Sequence, residues 1–389
     1  MRESFESCEA PLRISTKIGP ELDRIFGEAL EKKVFSGASL LEADRREPIF
    51  RKCWGQTKEG GKPVDFDTRF DLASLTKPLA TAAVAMGAVS RGAIGLDDSL
   101  TRFFPSASLP FEKRAITVRH LLGHTAGFPA YRPFYLDLIA TPFEQRPAAI
   151  LSRIFETGLS TPPGKTACYS DLGFILLGLV LECALGRALD ELFRDFSRMP
   201  GQGGEGQVHF CPLITGCDPA ARPERLFAEK YVFAAAEVCP WRGRLIEGEV
   251  DDENAYCLGG VSGHAGLFGT ARGVTRLVSF LWEAHGEGRA ETGLSREVVR
   301  LFWTRQPEPG AGTWALGFDT PSSSGSSAGR YFSPRSIGHL GFSGTSFWLD
   351  LEREVLVVLL TNRIYPSRQN EGIKAFRPLV HDTVMKALK

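Results

Sequence analysis

The sequence has no surplus of charge of either sign. Lys and Arg together number 46, Asp and Glu together number 46, in 389 residues. That balance leaves no electrostatic footprint for nucleic acid or for an anionic membrane surface. Long apolar runs are missing too. The run from Phe174 to Val180 is far too short to span a bilayer and is soon followed by Glu182. The first twenty residues, MRESFESCEAPLRISTKIGP, hold no apolar core of signal-peptide length. None of the eight cysteines forms a C-x-x-C pair, which argues against a zinc ribbon or a dithiol redox motif. Scattered thiols without a leader fit a reducing compartment, so a cytoplasmic chain with no membrane partner is expected.

Other absences remove further classes. Gly201 to Gly206 is glycine-rich but lacks the phosphate-cradling pattern, and reads as a connection. Asp251-Asp252-Glu253-Asn254 lacks the calcium-loop spacing and reads as a solvated loop. His120 and His124 stand at i and i+4, but the glutamate of a metalloprotease helix is absent. A helix turn ending at Gly127 is the better reading. Neither metal nor cofactor is therefore expected. No internal repeat is visible.

What is present centres on Phe70 to Gly95, FDLASLTKPLATAAVAMGAVSRGAIG. Leu75, Leu79, Ala82, Ala83, Met86 and Val89 recur at helical spacing. Pro78, tolerated only in a first turn, puts the helix start close to Ser74. Ser74 and Lys77, three apart, then share a face. A hydroxyl there sits beside free backbone N–H groups in a positive field. A lysine one turn on can take its proton if burial lowers its pKa. About one Ser-x-x-Lys is expected by chance in a chain of this size, and this is the single one present.

Elsewhere the chain reads as follows. Glu21 to Lys33 is an amphipathic helix. Ser36 to Ala43 and Glu47 to Trp54 form an antiparallel hairpin. Leu172 to Leu185 is a helix capped by Ser170 or Asp171 and closed by Gly186, with Tyr169 just outside its N-terminus. Ser336 to Leu340, Thr345 to Leu351 and Val355 to Thr361 are strands, the last nearly all apolar and so central. Leu379 to Leu388 is a final helix. Strands at both ends and helices between them indicate an α+β fold: an antiparallel sheet flanked by helices, plus a mainly helical lobe. One domain is expected, with an α/β lobe from about 1–75 and 310–389 and a helical lobe from about 76–309.

Three stretches in order, Ser74-Leu75-Thr76-Lys77, Tyr169-Ser170-Asp171 and His339-Leu340-Gly341, resemble the serine β-lactamase and penicillin-binding-protein superfamily. The likeness extends to RFDLASLTKPLAT, ITVRHLLGHTAGFP, TPPGKTACYSDLGFILLG, WRGRLIEGEV, GGVSGHAGLF and GHLGFSGTS. It is strongest to class C-type homologues and related esterases. The resemblance implies that Ser74 is acylated, that Lys77 and Tyr169 share the proton transfers, and that the N–H groups of Ser74 and Phe342 form an oxyanion hole. It places Asp171, His339, Leu340 and Gly341 against the substrate. Asp171 stands where many members carry asparagine, His339 where β-lactamases carry lysine, and Leu340 where a hydroxyl is usual. Asp251 stands where relatives often have histidine. A cofactor-free serine hydrolase acting on small esters or amides is the first expectation. A β-lactamase, D-alanyl carboxypeptidase or D-aminopeptidase is the second, and a silent binding protein of the same fold the third. The expected partner is a small ester, amide or β-lactam. Oligomeric state is not legible.

Overall fold

The structure is a computed structural model describing residues 15–44, 48–105, 109–198, 208–213, 231–288, 293–306 and 312–388. Gly201 to Gly206 and most of the hairpin turn after Asp44 lie outside the described residues.

A five-stranded antiparallel sheet joins the two ends of the chain. Its strands are β1 (Gly37–Ala43), β2 (Pro48–Gly55), β3 (Ile337–Leu340), β4 (Ser346–Asp350) and β5 (Val355–Thr361). Their order is β2-β1-β5-β4-β3. Strand β5, VLVVLLT, is buried along its whole length, which is why it reads as an unbroken apolar run and lies centrally. It pairs with β1 from Ala38 opposite Thr361 to Ala43 opposite Leu356. Alternation sends its side chains to two cores. Val355, Val357 and Leu359 pack beneath helices α1 (Ser15–Glu31) and α5 (Ile373–Ala387). Leu356, Val358 and Leu360 join the large core that includes α4 (Ala271–Glu287). Each fully buried leucine or valine there contributes roughly 1.5–3 kcal/mol relative to exposure.

Both terminal helices are longer than their sequence patterns indicate. Helix α1 starts at Ser15 and carries Pro20 inside it; α5 starts at Ile373 and carries Pro378. Proline is disfavoured inside a helix, but tertiary packing of the apolar faces overrides the local preference.

Helix α2 (Asp171–Leu185) runs through the large core and is apolar on nearly every side. The Ser170 hydroxyl accepts from Gly173 N at 3.3 Å, and Gly186 closes the helix at φ +67°. A short helix, α3 (Glu253–Cys257), begins at the acidic run. The loop after it, 258–266, packs against α2 so closely that a Cβ at Gly263 would collide with the Phe174 carbonyl oxygen. The His120 region differs from its reading. Its helix spans only Val118–Leu122 and ends at Gly123, because His124 adopts a positive φ of 57° that stops the helix.

Candidate active site

Ser74 does not open a regular α-helix. It sits in a 3₁₀ turn, Ala73–Leu75, followed by a π-helical turn, Lys77–Ala82, and only then by α-helix from Ala83. Pro78 supplies no N–H, so a regular ladder cannot form around it, and the wider turn accommodates the gap. Ala73 takes φ +47°, a left-handed value that turns the chain sharply just before the serine.

The turn is held from three sides. Leu72 N donates to Leu267 O at 2.9 Å, and Leu267 N donates to the Thr76 hydroxyl at 3.1 Å. The Ser343 hydroxyl donates to Asp71 O at 2.6 Å and Thr345 Oγ1 to Leu72 O at 3.2 Å. These bonds lock the β3–β4 connection, and with it Gly341 and Phe342, beside Ser74. Gly341 is required by this contact: a Cβ there would strike the Thr345 hydroxyl and the Leu72 carbonyl oxygen.

Lys77 is fully buried, and its Nζ lies among polar groups of several elements. It lies 3.0 Å from Ser74 Oγ, 2.7 Å from Asp171 Oδ1 and 3.2 Å from His264 O. Burial alone would lower its pKa, as the sequence reading required. The Asp171 carboxylate and the Tyr169 phenol more than offset burial, so the net shift is upward and Lys77 rests as an ammonium. Asp171 is the first residue of α2, placed there by the Ser170 cap.

The Tyr169 ring lies under the Lys77 ammonium, with Nζ 4.8 Å from its centroid. Burial raises the phenol pKa, while Lys77 and Ser74, both in contact with the hydroxyl, pull it down; the net shift is upward. Trp314 stacks on Tyr169 at 5.4 Å, and His124 packs against it at 4.8 Å. The sequence reading missed both. His124 was weighed as a metal ligand, and nothing near Trp314 marks it as part of a site.

His339, on β3, is buried and neutral. Burial and the nearby Lys77 push its pKa down to about 3, and its Nδ1 donates to Leu340 O at 2.8 Å. The third motif therefore offers no cation. Leu340, Gly341 and Phe342 line the same cleft as Ser74, Tyr169 and Asp171, a cavity of about 980 Å3. The site residues implied by the resemblance, Ser74, Lys77, Tyr169, Asp171, His339, Leu340, Gly341 and Phe342, thus meet at one place. Phe342 is half exposed at its edge.

The acidic run is not a solvated loop. Asp251, Glu253 and Asn254 are buried and Asp252 is partly buried, because each has a built partner. Arg368 reaches Glu253 at 2.9 Å, Asp251 at 3.4 Å and Glu237 at 2.6 Å. Asp252 caps α3 through Ala255 N at 2.8 Å and meets His264 Nε2 at 2.8 Å. Burial opposes its charge, but His264 holds the carboxyl down at about 2. Those partners lie up to 117 residues away, beyond reach of a local reading. Glu237, Cys239 and Glu253 bring their ligand atoms within 4.8 Å of one another, a spacing that suits a metal. The Arg368 guanidinium already supplies the cation to both carboxylates.

Fold and nucleophile setting together define a serine hydrolase. Residues 22–201 and 211–379 match the family described as Beta-lactamase, and the chain belongs to that family. It is 28% identical over 362 residues to a protein of Escherichia coli K12 named "Putative D-alanyl-D-alanine carboxypeptidase", covering 88% of this chain and 82% of that one. Among solved structures it is similar to EstCE1, described as a hydrolase with promiscuous acyltransferase activity. That likeness has a TM-score of 0.68 at 23% identity, over 95% of this chain and 99% of the other. It is also similar to the octameric penicillin-binding protein homologue from Pyrococcus abyssi, with a TM-score of 0.69 at 20% identity, over 94% and 77%. These structural likenesses concern the fold. No single helix among the described residues is long and apolar enough to cross a membrane.

Proposed function

We propose that the protein hydrolyses small esters or amides that lack a recognised carboxylate, through an acyl-enzyme on Ser74. The observation that carries this is the 3.0 Å contact of Lys77 Nζ with Ser74 Oγ, beside a third motif without charge or hydroxyl. Once the Lys77–Tyr169 pair has released one proton to solvent, Ser74 Oγ attacks the substrate carbonyl carbon and its proton passes to that pair. The backbone N–H groups of Ser74 and Phe342 receive the developing oxyanion. The bond to the leaving group then breaks, and the pair returns the proton to the departing oxygen or nitrogen. Water repeats the sequence on the acyl-enzyme and frees Ser74.

Two lobes, one built on the sheet and one mainly helical, would meet at this cleft. The E. coli relative's name keeps a carboxypeptidase as the second reading. Neutral His339 and apolar Leu340 count against it, because a terminal carboxylate needs donors. Intact-mass analysis after treatment with a fluorophosphonate tests the assignment. One adduct on the wild type and none on Ser74→Ala is expected. Equal ester turnover by both proteins would overturn it.

A further inference from the structure

The β3–β4 turn carries the Phe342 N–H that would face the oxyanion, and two arginines hold it. Every carbonyl from Gly341 to Thr345 accepts a hydrogen bond from one or the other. Arg377, on α5, donates to Gly341 O at 2.5 Å, Thr345 O at 2.9 Å and Gly344 O at 3.3 Å. Arg363 donates through Nε to Phe342 O at 2.6 Å and through its backbone N–H to Ser343 O at 2.9 Å. Within the turn, Gly344 N also donates to Gly341 O, at 3.1 Å.

Arg377 is buried, and among the described residues no carboxylate pairs with it. Burial and the neighbouring Arg363 both disfavour its charge and pull its pKa down to about 9, so it stays cationic near neutrality. A buried charge without a counter-ion is costly, and a neutral side chain could also cap carbonyls. What the charged fork adds is direction and polarity at one peptide unit. That unit, Gly341 C=O with Phe342 N–H, is planar and trans, so its two polar groups point in opposite directions. Holding the oxygen against Arg377 sends the Phe342 N–H the other way, and among the described residues no protein acceptor takes it. A cation on the carbonyl also polarises the unit and makes its N–H a stronger donor. The Ser343 and Thr345 hydroxyls tie the same turn to Asp71 O and Leu72 O, which fixes that N–H relative to Ser74.

We propose that Arg377 is a positioning residue for the oxyanion hole: acting through the Gly341 carbonyl rather than on substrate, it aims and polarises the Phe342 N–H. The inference rests on the serine-hydrolase reading and adds a residue to it.

The test pairs phenyl acetate with O-phenyl thioacetate, in which sulfur replaces the carbonyl oxygen alone. Sulfur is a weak hydrogen-bond acceptor, so a well-aimed N–H favours the oxygen ester and a misaimed one loses that preference. The quantity read is kcat/KM for the oxygen ester over that for the thionoester, divided by the same ratio for hydroxide. Both substrates meet one preparation, so any loss of folded protein cancels. Loss of one oxyanion donor costs on the order of 10²–10³ in kcat, so a wild-type preference of about 100-fold or more is expected. It should fall about ten-fold or more in Arg377→Gln, and about three-fold or more in Arg377→Lys, which keeps the charge but not the fork. The lysine variant carries the test where the glutamine variant does not fold. A preference unchanged in the folded variants overturns the proposal, whether or not both rates fall together. Fluorophosphonate labelling of wild-type Ser74 without an oxygen preference overturns the positioning alone, including the case in which neither ester turns over. An unlabelled Ser74 together with inert esters overturns the hydrolase reading, and the positioning falls with it.

Discussion

His124 grips the segment around Tyr169 from both sides. Its carbonyl accepts from Cys168 N at 2.8 Å, and its Nδ1 accepts from Ser170 N at 3.2 Å. The positive φ of 57° is what lets one residue present both acceptors to the same short segment. Its ring then rests on the tyrosine ring. Burial, reinforced by Lys77 and His339, holds the imidazole neutral, so Nδ1 keeps its lone pair. His124→Ala removes one acceptor and the ring. A misplacement of about 1 Å costs on the order of 100-fold. Steady-state kinetics should show kcat lowered roughly 10–100-fold with KM changed little. Asparagine tolerates the left-handed conformation and offers an acceptor, so His124→Asn should recover part of the loss. Equal losses in both variants would remove the clamp as the cause.

Asp171 raises the pKa of Lys77, which the proposed mechanism pairs with Tyr169 for proton transfer. At 2.7 Å, its carboxylate is the largest influence raising the pKa of Lys77. In that mechanism the pair must lose a proton before it can accept one from Ser74. A raised pKa places that loss at higher pH. Asp171→Asn removes the charge, so the acid limb of the kcat/KM profile should move to lower pH by about one unit or more. A limb that stays in place would show that Lys77 does not control it.

Much of this arrangement is legible in the sequence, and the limits are physical. Strands β1 and β5, helix α2 with its caps, and Ser74, Lys77, Tyr169 and His339 each carry a local signal: alternation, periodicity, a capping residue or a short motif. The irregular turn at Ser74 does not, because π-helical geometry is chosen by contacts from Leu267, Ser343 and Thr345. Asp251 to Asn254 misleads for the same reason. Four polar residues look solvated until Arg368, far along the chain, is folded against them. The charge state of Lys77 also depends on a distant carboxylate, so spacing alone gives the wrong direction.

Glu42 makes stability depend on pH. It lies on β1, fully buried, with neither carboxyl oxygen hydrogen-bonded among the described residues. Burial raises its pKa from 4.5 to about 8. Between those values the unfolded chain has lost the proton and the folded chain keeps it. Folding is therefore progressively disfavoured as pH rises through that window, and the cost is absent below it. Asp251, pushed up to about 8, and Asp71, to about 6, act with the same sign. Comparing wild type with Glu42→Gln isolates the one residue. Melting curves should show a smaller fall in Tm from pH 5 to pH 8 in the variant. Its advantage at pH 8 should be on the order of a few kcal/mol. Parallel curves would mean that the carboxyl is paired in solution.

On the proposed function, Leu340 bears on which acyl donors are accepted. It lines the cleft at the end of β3, next to the glycine that packs against the Ser74 turn. A penicillin presents a carboxylate, and an anion taken from water without donors is costly. Leucine has no donor, and neutral His339 directs its Nδ1 hydrogen to Leu340 O rather than into the cleft. Wild-type kcat/KM should therefore favour small esters without a carboxylate over penicillins. Threonine suits a strand as well as leucine does and adds a hydroxyl. One hydrogen bond to a charged group contributes roughly 1.5–3 kcal/mol. Leu340→Thr should then be acylated by a penicillin about ten-fold or more faster, read as the rate of the mass shift on Ser74. The ester rate should change far less, because the new hydroxyl meets no anion there. A wild type that already prefers penicillins, or a threonine that helps both substrates equally, would sink the carboxylate argument. The carboxypeptidase or β-lactamase reading would then take precedence over the esterase one.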